Sequence, residues 1–213
     1  MLADSEVLSN SVIAEVVSEH GVPTSLDDAY RTYMGKRLND VIETIERVTG
    51  RKLPSDFADS YQQRTFDAFR ARLKPIAGAR EFLAVWREVP NCIASSSSPE
   101  RLALSLDVLG MTALFEGRVF SASNVARGKP HPDIFLYAAE QLGVPPSDCI
   151  VIEDSIGGVT AACAAGATAI GLTAASHVQP GFEARLHEAG ADHVVKSFAE
   201  LDALIRPTLS VAG

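Results

Sequence analysis

The chain has 213 residues, of which 46% are hydrophobic, so it can bury a sizeable core in one large or two small domains. Its formal net charge of -8 at pH 7 argues against nucleic acid or a membrane surface as a partner. There is no apolar run of membrane-spanning length, the first residues are polar and mixed, and the three cysteines form no CxxC motif. These features predict a cytoplasmic protein with reduced thiols.

The first third of the chain predicts helices and no strand. An amphipathic helix is expected over residues 5–20, and a second helix begins near Pro23. A third has its apolar positions over residues 38–48, and a fourth begins at Pro54 and keeps its apolar side chains on one face through residue 73. We assign residues 5–74 to a small all-helical domain.

The pattern changes after residue 74 to strands that alternate with helices. Strands are predicted over residues 91–95, 118–121, 149–152, 167–172 and 193–195, and helices over residues 79–89, 99–109, 132–142, 157–165, 182–189 and 197–205. Such alternation predicts an α/β fold over residues 75–213, with a Rossmann-like, mostly parallel sheet flanked by helices. A hinge is expected near residues 73–76.

Two adjacent carboxylates, Glu153 and Asp154, follow the apolar run of residues 149–152 and precede a helix that ends at Gly166. They therefore lie at the carboxyl edge of the predicted sheet, where open α/β folds bind ligands. Two such carboxylates repel each other unless a cation or a proton lies between them. Because Mg²⁺ binds one or two carboxylates together with waters and phosphate oxygens, the pair predicts a Mg²⁺ site. Alternatively, Asp154 or Ser155 only caps the helix.

Two further strand ends of the same sheet carry groups that suit a phosphate dianion. Lys129 comes just before a helix, is held by the two prolines that follow it at positions 130 and 132, and supplies a point charge. The first strand of the sheet ends in hydroxyl groups that are followed by the free N–H groups of a helix N-terminus. The hydroxyl-bearing residues are Ser95, Ser96 and Ser97. The edge of the sheet is therefore predicted to hold a phosphoryl group beside a divalent cation.

Three sequence motifs resemble those of a known family. The serines after an apolar strand, GKPHPDIF at residues 128–135 and VIEDSIGGVTAACAAG at residues 151–166 are similar to the second, third and fourth motifs of the haloacid dehalogenase superfamily. The match is closest to its phosphatase and β-phosphoglucomutase-like branch, which carries a helical cap, and it covers essentially the whole chain. The resemblance implies Mg²⁺-dependent phosphoryl transfer through an aspartyl-phosphate. By position it implies that Ser95 holds the phosphate, Lys129 steadies phosphate and nucleophile, Asp154 binds Mg²⁺, and Glu153 is a direct or indirect partner of the metal.

The first motif of this family is represented only by its tail. That motif is a strand ending in DxDGxLxDSE, whose two aspartates are nucleophile and general acid/base, and only residues 2–6 match it here. In the family the strand lies between those at residues 91–95 and 149–152, so its loss leaves a slot of about 10 Å. Each buried backbone group without a partner costs ~1–3 kcal/mol. We therefore expect that the natural product begins upstream, with Met1 at a GTG valine codon, and that the chain as given is inactive.

Smaller signals bear on the substrate. The basic turn Gly35, Lys36 and Arg37 lies where the family's cap carries a specificity loop, and it either recognises a second anionic group or is a solvated helix N-terminus. His131 either contacts substrate or lies in a surface turn. Ser176 and His177 follow the strand that ends at residue 172 and are candidates for the rim of the site.

The sequence thus predicts a phosphomonoesterase that acts on a small phosphorylated metabolite, as a monomer or a weak homodimer. One alternative is a β-phosphoglucomutase-like sugar phosphomutase, although Met34 and Leu38 stand where those mutases carry basic residues. The other alternative is a catalytically inactive protein that binds a phosphorylated ligand. A dehalogenase fits less well, because its chemistry needs no Mg²⁺.

Overall fold

A computed structural model of the chain describes residues 1–33, 38–178 and 180–209. The chain divides into two compact units. One is Asp4–Leu73, and the other combines Met1–Ala3 with Lys74–Gly213. Within the described ranges, no helix is both long and apolar enough to cross a lipid bilayer.

The unit Asp4–Leu73 is helical, as predicted. Its helices are α1 (Ser5–Glu19), α2 (Leu26–Thr32), α3 (Leu38–Thr49) and α4 (Phe57–Arg72). Helix α2 begins with a capping box, because the Ser25 hydroxyl accepts a hydrogen bond from the backbone of Asp28 and the Asp28 carboxylate accepts one from the backbone of Ser25. The apolar faces of these helices form a core around Val17, Ile45 and Phe57.

The second unit contains the predicted parallel strands. They are β1 (Ile93–Ser95), β2 (Val119–Ser121), β3 (Ile150–Glu153), β4 (Thr168–Leu172) and β5 (His193–Val195). Strand β1 pairs with β2, and β4 pairs with β3 on one side and β5 on the other, all in parallel. In the pairing of β3 with β4, Glu153 lies opposite Gly171. All five predicted strands are confirmed, with Glu153 as an additional strand residue.

Helices connect these strands. They are α5 (Ala79–Val85), α6 (Pro99–Val108), α7 (Asp133–Leu142), α8 (Ile156–Ala165), α9 (Phe182–Glu188) and α10 (Phe198–Leu209). Helix α5 stops at Val85, short of the predicted residue 89, and the chain turns over residues 86–88; Pro90 disfavours helical backbone at residue 89 itself. Helix α10 continues past the predicted residue 205 to Leu209 and contains Pro207, which has no N–H to donate to the carbonyl four residues earlier.

The strands lie in two sheets, ordered β1-β2 and β3-β4-β5. In the described part of the chain, β1 and β3 each have one edge with no neighbouring strand, and most of their residues are only half-buried. This interruption lies where the sequence predicts a slot. One hydrophobic cluster nevertheless reaches both sides of the interruption, because residues drawn largely from α7 and α8 contact both Ala94 of β1 and Val151 of β3.

Candidate phosphate and cation site

Lys129, in the loop before α7, links the ends of β1 and β3. Its Nζ donates a hydrogen bond to the carbonyl oxygen of Ala94, at 3.2 Å, and forms an ion pair with the Glu153 carboxylate. The ammonium also lies 4.7 Å from the centre of the Phe135 ring, which α7 supplies. Only 11% of the lysine side chain is exposed. One positive charge is therefore fixed at the edge of the two sheets.

Glu153 has both carboxylate oxygens engaged. Oε1 binds Lys129, and Oε2 accepts a hydrogen bond from the Ser155 hydroxyl at 3.0 Å. The same Ser155 oxygen caps α8 by accepting a hydrogen bond from the backbone N–H of Gly158 at 3.0 Å. A Cβ atom at position 158 would lie 2.1 Å from Glu153 Oε2, so the close approach of helix and carboxylate requires glycine there. This geometry makes Glu153 a support for Lys129.

Asp154 is the carboxylate that faces a different cation. Its side chain is 15% exposed, and Oδ2 lies 3.0 Å from the α-ammonium of Met1. Burial on its own would raise the pKa of Asp154, but the Met1 ammonium, with further contributions from His177 and Lys129, outweighs burial and lowers the pKa. The residue is therefore held as a carboxylate beside a positive charge, which is the condition that a metal ligand must meet.

The serines after β1 are held by the sheet. Ser95 is the last residue of β1, and its hydroxyl oxygen accepts a hydrogen bond from the backbone N–H of Ser97 at 3.2 Å. The Ser121 hydroxyl, at the end of β2, donates to the carbonyl oxygen of Ser97 at 2.7 Å. Ser96 is exposed, and Ser98 caps the N-terminus of α6. Because Ser95 follows Ala94, which accepts from Lys129, this turn and the ammonium share one edge.

The remaining candidates are placed as follows. The basic turn Gly35, Lys36 and Arg37, and Met34 beside it, lie outside the described residues. His131 is exposed in the turn before α7. In that turn the backbone N–H of His131 donates a hydrogen bond to the carbonyl of Gly128. His177 is buried, which the sequence did not indicate. Sequence reasoning also missed the contact of Lys129 with the Phe135 ring. An aromatic residue at the start of α7, shortly after the lysine, could have indicated it.

A divalent cation at Asp154 would draw most of its ligands from outside the protein. Within the part of the chain that the structure describes, no cluster of three or more His, Cys, Asp or Glu side chains is arranged to hold a metal ion. Mg²⁺ fits such a sparse site, since it commonly binds through one or two carboxylates and completes its shell with water and phosphate oxygens.

Comparison with known proteins gives consistent matches. The family description "haloacid dehalogenase-like hydrolase" matches residues 3–166. The 6-phosphogluconate phosphatase of Escherichia coli is 26% identical over 180 residues, which cover 84% of this chain and 81% of that protein.

Solved structures share the fold over nearly the full chain. A haloacid dehalogenase-family hydrolase from Deinococcus radiodurans, with bound phosphate and sodium, is 37% identical with a TM-score of 0.79, and the match covers 98% of this chain and 92% of the other. A haloacid dehalogenase-like protein from Agrobacterium tumefaciens is 32% identical with a TM-score of 0.83, and here the coverage is 98% and 94%.

Proposed function

We propose a function for a chain that belongs to the haloacid dehalogenase-like hydrolase family: Mg²⁺-dependent hydrolysis of the phosphomonoester of a small phosphorylated metabolite. The observation that carries the proposal is the position of the Lys129 ammonium, which contacts the ends of both β1 and β3 and lies among the charges that act on Asp154. The phosphatase activity named for the Escherichia coli relative and the phosphate in the Deinococcus radiodurans structure support the substrate class.

In this proposal the phosphoryl group binds between Lys129 and the turn after β1. Lys129 neutralises part of the phosphate charge, and its low exposure keeps that interaction strong. Ser95 contributes its hydroxyl proton, and Ser96 and Ser97 lie beside the N-terminus of α6, whose dipole favours an anion. Glu153 holds Lys129 in place and offsets its charge when no substrate is bound.

Asp154 is the proposed ligand of Mg²⁺, with Glu153 acting on the metal only through Lys129. When bound, Mg²⁺ would reduce the repulsion between a phosphoryl group and an attacking carboxylate. The proposed chemistry is attack by an aspartate carboxylate on phosphorus, which breaks the P–O ester bond and releases the metabolite as an alcohol that takes a proton from a general acid. Water then hydrolyses the aspartyl-phosphate to inorganic phosphate and the free aspartate. The 213 residues contain no Asp-x-Asp sequence, so we expect the attacking aspartate on a further strand between β1 and β3. We also propose that the unit Asp4–Leu73 serves as the cap that selects the substrate.

The test compares two forms of the protein. One is the 213-residue chain, and the other is extended at its N-terminus by a strand carrying the Asp-x-Asp-Gly pattern. Both are assayed for phosphate release from a panel of sugar phosphates, with and without Mg²⁺, and both are titrated with inorganic phosphate. We expect Mg²⁺-dependent release from the extended form alone, with phosphate binding by both forms.

Two other outcomes would decide against this function. Phosphate binding without hydrolysis by either form would favour a protein that only binds a phosphorylated ligand, an alternative that the absence of an Asp-x-Asp sequence supports. If neither form binds or releases phosphate, the proposal is overturned.

A further inference from the structure

Ser95 and Ser121 end the two strands of the first sheet with the same kind of turn. They lie opposite each other in the pairing of β1 with β2. The Ser95 oxygen accepts a hydrogen bond from the backbone N–H of Ser97, and the Ser121 oxygen accepts one from the backbone N–H of Ser123, each at 3.2 Å. The two turns differ in their hydroxyl protons. Ser121 donates its proton to the carbonyl oxygen of Ser97 at 2.7 Å, whereas no group in the described part of the chain accepts the proton of Ser95.

The Ser121 hydroxyl has a single direction available for its proton. The residue is only 4% exposed, and its oxygen accepts hydrogen bonds from both the N–H and the hydroxyl of Ser123, the latter at 2.9 Å. Because a hydroxyl has one proton and two acceptor positions, these two bonds and the bond to Ser97 use all three. A chain of hydroxyl groups from Ser123 through Ser121 therefore ends on the Ser97 carbonyl, and polarisation along the chain strengthens that last bond.

The Ser97 carbonyl is drawn to the side of β1 that lies away from Lys129. Backbone groups of successive residues in a strand point alternately to its two edges. The N–H of Ile93 donates to the carbonyl of the residue just before β2, at 2.9 Å, so Ile93 faces β2 and Ala94 faces the open edge of β1. Lys129 binds the carbonyl of Ala94 and therefore lies at the open edge. Ser121 belongs to β2 and holds the Ser97 carbonyl on the opposite side.

We propose that Ser121 is a positioning residue of the phosphate site, whose hydroxyl keeps the peptide group between Ser97 and Ser98 from turning its carbonyl towards the bound anion. A carbonyl oxygen is the negative end of the peptide dipole, so it would repel a phosphoryl group bound beside Lys129. Because the peptide is trans, holding the carbonyl on the β2 side directs the N–H of Ser98 the opposite way. The inference rests on the proposed function, because it requires a phosphoryl group at this turn.

Matched substitutions separate the hydroxyl from the space that it fills. Ser121→Ala removes the hydroxyl, and Ser121→Thr and Ser121→Val have nearly the same shape but differ in that group. The control Ser105→Ala removes a hydroxyl that donates to a backbone carbonyl within α6, also at 2.7 Å. Isothermal titration with inorganic phosphate and Mg²⁺ measures affinity without requiring activity, and urea denaturation reports stability. The ¹⁵N chemical shift of the Ser98 amide reports the hydrogen bond at the Ser97 carbonyl, because both belong to one peptide group.

We expect Ser121→Ala to weaken phosphate binding ~3–10-fold and to shift the Ser98 amide signal, and Ser105→Ala to stay within about twofold of the unmodified chain with that signal unmoved. Ser121→Val should bind phosphate ~3–10-fold more weakly than Ser121→Thr, a comparison that decides the matter even if the added methyl group destabilises both variants. Equal affinity in the threonine and valine variants would overturn the inference while leaving the phosphate site intact. So would a loss in Ser105→Ala as large as that in Ser121→Ala. If the unmodified chain binds no phosphate, or Lys129→Met binds it equally well, the phosphate site of the proposed function fails and the role of Ser121 fails with it.

Discussion

At the scale of single residues, the ion pair of Lys129 and Glu153 has both a structural and a proposed functional role. Their side chains are 11% and 10% exposed. Removing one partner of a buried pair leaves an uncompensated charge and costs about 3–5 kcal/mol. We therefore expect Lys129→Met to lower the free energy of unfolding by about that amount in urea denaturation. We also expect it to abolish the binding of inorganic phosphate, measured by calorimetry with Mg²⁺ present.

A double variant separates the two roles. In Lys129→Met/Glu153→Gln no buried charge is left unpaired, and the glutamine can still accept the hydrogen bond from Ser155. Most of the lost stability should return, since replacing both partners of a buried pair by neutral groups is often close to neutral. Phosphate binding should stay absent. Phosphate binding at the original affinity in the double variant would show that Lys129 does not contact the anion.

The adjacent glycines at the start of α8 provide a second prediction. Replacing each by alanine should change the free energy of unfolding in opposite directions. A Cβ at Gly157 meets no atom within 4 Å, so Gly157→Ala should be neutral or raise the free energy of unfolding by about 0.4–1 kcal/mol. At Gly158 the new methyl group would overlap the Glu153 carboxylate. Gly158→Ala should therefore cost about 1–3 kcal/mol and weaken phosphate binding, because Glu153 must move from Lys129. The measurements are urea denaturation and phosphate titration, and equal stability of the two variants would contradict this account.

At the scale of the element, the Ser155 hydroxyl at the N-terminus of α8 both caps the helix and binds the site residue Glu153. Ser155→Ala removes the cap, which should lower the free energy of unfolding by about 0.5–2 kcal/mol, and it also removes the hydrogen bond to Glu153. We expect a loss of stability together with severalfold weaker phosphate binding, whereas Ser155→Thr should keep both. The matched control is Ser25→Ala, which removes the cap of α2 and should cost similar stability without affecting phosphate. If both alanine variants weaken phosphate binding equally, the weaker binding results from general destabilisation and not from the loss of the Ser155 hydrogen bond to Glu153.

Local signals explain why the order of the elements was predictable. Helix α8 begins at a serine cap and ends at Gly166, whose φ of 80° suits glycine, and both signals can be read without the fold. The partners of the site residues could not be read in the same way. Lys129 and Glu153 are 24 residues apart, and their pairing depends on side-chain directions at the ends of separate elements. The burial of His177 likewise depends on how its loop folds back, which no local pattern records.

At the scale of the whole molecule, the division of the strands into two sheets is the feature with the widest consequence. Residues in a parallel strand direct their backbone groups alternately to the two sides. The carbonyl of Cys149 accepts from the N–H of Thr168 in β4 at 3.0 Å, so Cys149 and Val151 face β4. Ile150 and Ile152 then direct their backbone groups towards β1, where the described residues supply no neighbouring strand.

Hydrogen exchange can detect this difference inside a single strand. Ile150, Val151 and Ile152 share the same local environment, so differences in their amide exchange report pairing more than regional unfolding. We expect the amides of Ile150 and Ile152 to exchange at least ~10-fold faster than the amide of Val151, measured by two-dimensional NMR in D₂O. In the form extended by an N-terminal strand, the two isoleucine amides should become as protected as Val151. Equal protection of all three amides in the 213-residue chain would mean that the edge of β3 is already paired, and an attacking carboxylate could not enter beside Lys129 on a strand of its own.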